Sequence, residues 1–177
     1  MIETRRATAA DVDSLLAHVQ AGFDSYLAFA PAGWVPPEVE RERAGTIAGL
    51  NDEATWALLA LDAGHPVGHV AFYPARERIA GDPPPLLRQR SLIPGLAHLW
   101  QLFVLPDWWG QGVAPVLHDA AVGEMQARGY QRARLYTPAD HGRAKRFYER
   151  RGWTATAEED NPGLRLRLTE YMLDLRR

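Results

Sequence analysis

The chain has 177 residues, 46% of them hydrophobic and 24% charged, with a formal net charge of −2. That length suits a single domain spanning 1–177 with a buried core, and the composition excludes a disordered or membrane-embedded chain. The near-neutral charge argues against nucleic acid, whose phosphates want clustered Lys and Arg, and the absence of cysteine removes disulfides, thiolate nucleophiles and zinc-thiolate centres.

The opening "MIETRRATAADVDSLL" carries no apolar run after its arginines, and no stretch reaches the length of a membrane span, so a cytoplasmic protein with no membrane partner is expected. "IETRRAT" at 2–8 reads as a strand. Residues 9–29 read as a helix with Val12, Leu15, Leu16, Val19, Phe23, Tyr26 and Leu27 on one face. "APAGWVPP" breaks it, and a second helix is expected over 37–50 with Pro37 in its first turn. "TWALLALD" and "PVGHVAFYP" then form a hairpin. Residues 75–95 contain "GDPPP" without periodicity and read as a long surface insert.

"LAHLWQLFVL" at 96–105 is apolar on both faces and suits a central strand. A helix over 113–128 follows, with Val116, Leu117, Ala120, Ala121 and Met125 inward and Gly129 as its stop. "RARLYT" (132–137) is a strand, and "DHGRAKRFYERRG" a helix capped by Asp140 or Thr137 and ended by Gly152. "WTATAEE" and "LRLRLTEYMLDL" are the last strands, the second changing phase near Met172 as a bulge would make it do. The order describes an α+β fold layered α/β/α, in which only the step 96–105 to 132–137 is a parallel crossover.

The junction "VLPDWWGQGVAP" carries the chemistry. Gly110 and Gly112 free the backbone and keep side chains away from a ligand, so the amides of Gly110, Gln111, Gly112, Val113 and Ala114 at a helix start can wrap a phosphate or diphosphate. A plain strand-to-helix turn explains a lone Gly-x-Gly equally well. Neither a P-loop nor a dinucleotide fingerprint is present.

The loop at Trp109 to Ala114, taken with "HGRAKRFYERRGW" at His141 to Trp153, resembles the [RQ]-x-x-G-x-[GA] and N-x-x-A-x-x-[FL]-Y-x-x-x-G-[FW] motifs of the GNAT acetyltransferase superfamily. Trp109 replaces the family's Arg or Gln, and His141 its Asn. The resemblance covers essentially the whole chain. It implies a mixed, mostly antiparallel sheet whose parallel pair splays at a bulge, acetyl-CoA as cofactor, and an amine of a small molecule or peptide as acceptor.

On that resemblance the pantetheine arm inserts beside Leu102, Phe103 and Val104, and the loop from Gly110 to Ala114 with His141 and Ala144 binds the rest of CoA. Tyr148 takes the position of the family's acid to the leaving thiolate. A phenol near pKa 10 facing a thiol near about 8.5 is uphill by about 2 kcal/mol, so a hydrogen bond to the thiolate is the expected role, beside the reading of a tyrosine packed next to Phe147. His98 stands where many relatives carry a proton-relaying glutamate, beside the reading of a satisfied strand histidine. A metal between His65 and His69 is rejected, because four strand residues span about 13 Å. "AEEDN" at 157–161 draws a cationic acceptor or is a solvated hairpin loop. Phe23, Tyr26, Phe29 and Trp34 wall the acceptor pocket or pack the core. A non-catalytic acyl-CoA sensor and a longer acyl donor remain alternatives, and an exposed last strand leaves a homodimer open.

Overall fold

In chain order the elements are β1 (Ile2–Arg6), α1 (Val12–Tyr26), α2 (Arg43–Leu50), β2 (Trp56–Asp62), β3 (His65–Arg76), β4 (Leu92–Val104), α3 (Val113–Ala127), β5 (Arg132–Pro138), α4 (Gly142–Glu149), β6 (Thr154–Asn161) and β7 (Leu166–Asp174). The structure is a computed structural model and describes residues 1–78 and 90–176. Its strands form one sheet in the order β1-β2-β3-β4-β5-β7-β6. β4 and β5 run parallel, paired at Leu96–Arg132, Ala97–Ala133 and His98–Arg134, while β1–β2, β2–β3, β5–β7 and β6–β7 are antiparallel. This is the mixed, mostly antiparallel α+β sheet expected from the sequence.

Chain contacts gather the described residues into two compact units. One comprises Met1–Ser25, Glu38–Tyr73 and Leu99–Glu124, the other Tyr26–Pro37, Pro74–His98 and Met125–Arg177.

In the first unit β2 is buried along six consecutive residues, the pattern of a strand covered on both faces. Leu15 of α1 packs with Ala7, Ala57, Leu59, Leu61 and Ala71, and Val12, Leu16 and Val19 pack with Val39. Gly22 is required within α1: a Cβ there would sit 2.3 Å from the Phe103 ring. The first helix is shorter than 9–29, because a 3-10 turn over Ala9–Asp11 precedes it and it ends at Tyr26, leaving Leu27 57% exposed. The second expected helix divides into a 3-10 turn at Val39–Glu42 and α2, with Pro37 outside both.

In the second unit β5 and β7 bury Ala133, Leu135 and Tyr171, and α4 lays Tyr148 against Tyr171 and Trp153. Five further expectations are corrected. The 75–95 insert is narrower, since β3 runs to Arg76, β4 starts at Leu92, and the Glu77 amide still bonds the Ser91 carbonyl at 2.9 Å; residues 79–89 lie outside the described residues. "AEEDN" is the outer half of β6 rather than a loop, held by its register with β7. The phase change near Met172 comes from an extra residue on the facing strand: Ala155 pairs with Tyr171 and Ala157 with Glu170, leaving Thr156 as the bulge. His141, not Asp140 or Thr137, is the N-cap of α4, with no side-chain capping bond. Val116 of α3 is exposed, while Val113, Leu117, Ala121 and Met125 are fully inward.

Candidate active site

β4 ends at Val104, a 3-10 turn covers Pro106–Trp108, and residues 109–112 turn into α3. Gly110 and Gly112 have φ of 76° and 85°, the left-handed region that favours glycine, and a Cβ on either would meet no atom within 4 Å. The Gln111 amide bonds the Trp108 carbonyl at 3.4 Å, and the Val116 amide closes the first helical turn on Gly112 at 3.3 Å. The amides of Gly110, Gly112, Val113 and Ala114 have no acceptor among the described residues. Pro115, third in the helix, supplies no N-H where none would be satisfied.

Side chains brace this loop. The Trp109 indole N-H donates to the Val104 carbonyl at 2.8 Å, and the Gln111 amide N-H to the Asp107 carbonyl at 2.6 Å. The tryptophan that replaces Arg or Gln thus ties the loop to the end of β4, and it occupies a carbonyl expected to face the pantetheine. Phe103 turns its side chain into the core, edge-on to Phe23 at 6.1 Å. Leu102 is half-buried.

His98, His141, Ala144 and Tyr148 belong to the second unit, whereas Leu102, Phe103, Val104 and the loop 110–114 belong to the first. Tyr148 is 7% exposed, ringed by Phe147, Trp153 and Tyr171, and its hydroxyl has no hydrogen-bond partner among the described residues. Burial raises its pKa above the ordinary phenol value. His141 stacks on Phe29 at 4.9 Å and meets Tyr26 edge-on at 5.3 Å, and burial, then Arg143, lowers it to about 4. Ala144 is half-buried in the first turn of α4. Tyr26 and Trp34 are core residues, the Trp34 indole donating to the Leu164 carbonyl at 2.7 Å.

His98 is pushed down to about 3 by burial, then by Arg134 and Arg78. Its ring centroid lies 5.8 Å from that of Tyr136. Tyr136 lines a 560 Å³ cavity together with Arg78, Arg134, Glu159 and Glu170. The Tyr136 hydroxyl donates to Glu170 Oε2 at 2.6 Å, Thr156 donates to Glu170 Oε1 at 2.6 Å, and Arg78 pairs with Glu159. Sequence reasoning missed this cavity. The period-2 signal was present in "RARLY", which alternates Arg132, Arg134 and Tyr136 with Ala133 and Leu135.

The family profile described as "Acetyltransferase (GNAT) family" matches residues 19–153. The chain belongs to the GNAT acetyltransferase family. It is an acyltransferase, and the family's acetyl donor is acetyl-CoA. Among solved structures this GNAT chain is similar to an acetyltransferase of the GNAT family from Staphylococcus aureus Mu50 (12% identity, 99% of this chain and 100% of that one, TM-score 0.72). It is also similar to the PaiA N-acetyltransferase from Thermoplasma acidophilum in complex with coenzyme A (16%, 96% and 98%, 0.68). A third is the ribosomal-protein-S18-alanine N-acetyltransferase from Escherichia coli (16%, 100% and 96%, 0.67). No curated protein sequence matches the chain. Four amides without an acceptor among the described residues, two of them on glycines with open space where a Cβ would sit, fit an oxyanion group such as the diphosphate of CoA.

Proposed function

We propose that this acetyltransferase moves an acetyl group from acetyl-CoA to a primary amine of a small molecule or peptide by direct attack on the thioester. The observation that carries the reading is the set of amides at Gly110, Gly112, Val113 and Ala114 without an acceptor among the described residues, beside glycines whose missing Cβ leaves room for a diphosphate. Acetyl-CoA supplies the activated acetyl carbon. The amine nitrogen bonds that carbon, the carbon–sulfur bond breaks, and the proton lost by nitrogen passes through water to His98. Because His98 is held near about 3, it relays the proton onward rather than storing it. The departing sulfur anion accepts a hydrogen bond from Tyr148. A phenol whose pKa burial has raised stabilises the anion by donation and keeps its proton.

The loop and Trp109 position the donor, and Leu102, Phe103 and Val104 edge the strand beside which its arm lies. His141 replaces an amide side chain with an imidazole fixed by Phe29 and Tyr26, so its part is to anchor the start of α4. The test is thiol release from acetyl-CoA across a panel of primary amines. Saturable release with at least one amine supports the reading, and CoA binding with no release from any amine contradicts it.

A further inference from the structure

We propose that the cavity lined by Arg78, Arg134, Tyr136, Glu159 and Glu170 binds the carboxylate of the acceptor, so that the molecule acetylated is a small amino-carboxylate. The inference rests on the reading of the chain as an amine acetyltransferase. It starts from two orphaned donors. The Nε-H groups of Arg78 and Arg134 are buried without an acceptor among the described residues, and both side chains line the same cavity. Arg134 is only 8% exposed, and among the described residues its side chain's one hydrogen bond runs from Nη2 to the Arg76 carbonyl at 3.0 Å.

Buried guanidinium groups ordinarily face carboxylates, because an uncompensated buried charge is strongly destabilising. Of the cavity's carboxylates, Glu159 pairs with Arg78 and Glu170 accepts from the Tyr136 and Thr156 hydroxyls, and Glu77 and Arg90 also line the space. No ion pair reaches Arg134 among the described residues. Tyr136 holds the two guanidinium groups against one ring, at 4.1 Å for Arg78 and 5.5 Å for Arg134. A ligand carboxylate supplies lone pairs for the two orphaned N-H groups. At 560 Å³ the space suits an amino-acid-sized molecule.

The cavity also belongs beside the proton path of the proposed reaction. His98, the assigned relay, lies 5.8 Å from Tyr136 and has its basicity lowered first by burial, then by Arg134 and Arg78. An anion bound between those arginines offsets their share of the lowering, while the larger share from burial stays. Occupation by a carboxylate therefore improves the proton acceptor at the moment an acceptor is present.

The experiment has two arms. In the first, calorimetry without CoA compares L-methionine, L-phenylalanine and L-glutamine with their carboxamides. The expected result is binding of at least one acid roughly 10-fold or more tighter than its amide, a preference lost in Arg134→Gln and only partly kept in Arg134→Lys, which retains charge without an Nε-H. A rise in wild-type melting temperature with the acid and not the amide gives the same reading if Arg134→Gln does not fold. Equal binding of acids and amides, or binding indifferent to Arg134, overturns the proposal. In the second arm the same pairs are acceptors with acetyl-CoA. Turnover of amines without preference for the acids overturns this inference while leaving acetyl transfer intact. Binding of the acids without turnover of any amine leaves the carboxylate site intact and removes the acetyl-transfer reading.

Discussion

His18 Nδ1 lies 3.0 Å from His69 Nδ1, with both rings buried inside the first unit. Donor accounting fixes how the pair is protonated. The Pro66 carbonyl, 3.3 Å from His18 Nε2, can only accept, so that nitrogen carries hydrogen and neutral His18 accepts at Nδ1. His69 Nδ1-H therefore donates to His18, and His69 Nε2 becomes an acceptor. Gln101 Oε1 lies 2.9 Å from His69 Nε2, so this arrangement is reached by an O/N exchange of the Gln101 amide that presents its N-H to the ring. Burial keeps both imidazoles of the chain Gln101 to His69 to His18 to Pro66 towards the neutral form.

Acid lability follows. Burial, then His18, pushes His69 down to about 3, and burial lowers His18 as well. An unfolded histidine titrates near about 6.5. With folded values depressed, the unfolded chain binds more protons between those values, so the stabilisation is present above about pH 6.5 and is lost as pH falls towards 3. Urea midpoints measured from pH 7.5 to 4 should fall steadily, with a shallower slope in His69→Gln. Parallel slopes for the two proteins would sink this account of the pair.

Tyr148→Phe separates chemistry from packing. Since the Tyr148 hydroxyl has no partner among the described residues, removing it strands no protein group, and the melting temperature should stay within a few degrees. Turnover should fall roughly 10- to 100-fold with KM for acetyl-CoA little changed, the cost of one hydrogen bond to a charged group. Unchanged kcat would return Tyr148 to a packing role.

Trp109→Phe removes the 2.8 Å indole bond to Val104 and loosens the loop that positions the donor. CoA affinity should drop about 5-fold, in line with a neutral hydrogen bond of about 1 kcal/mol, while kcat at saturation stays near wild type. A variant that binds CoA as tightly as wild type would show that the brace does not shape the loop.

The sequence order of strands and helices was readable because the periodic signals are local: 3.6 along α1 and α3, and the unbroken apolar run of β2. The glycine loop was readable for the same reason, since the elements that make it are neighbours in the chain. What escaped notice depends on pairing across distance. His18 and His69 are 51 residues apart, and each by itself is a lone histidine on an apolar face. The cavity joins Arg78, Arg134 and Glu170 from three separate segments, and its alternation in β5 shows only that one face is polar, not what faces it. The bulge at Thr156 was assigned to the wrong strand because a phase change on β7 records an extra residue on its partner just as faithfully as one of its own.

His98 offers a kinetic signature. Held near about 3, it is neutral across the working range, so kcat/KM should rise with pH without an inflection near 6.5 and should follow deprotonation of the acceptor amine instead. His98→Asn should lower kcat/KM about 10-fold at every pH. An inflection near 6.5 that disappears in the variant would mean that His98 titrates as an ordinary, solvated imidazole.

The claim that backbone amides from Gly110 to Ala114 hold the donor is tested most directly by calorimetry of CoA binding to wild type, the double variant G110A/G112A and the single variant Gly129→Ala. All three glycines have positive φ and no atom within 4 Å of an added Cβ, so the backbone strain is of the same kind and only the position differs. The account predicts that wild type and Gly129→Ala bind CoA alike and that G110A/G112A loses at least about 10-fold in affinity. Equal affinity in all three proteins would contradict it.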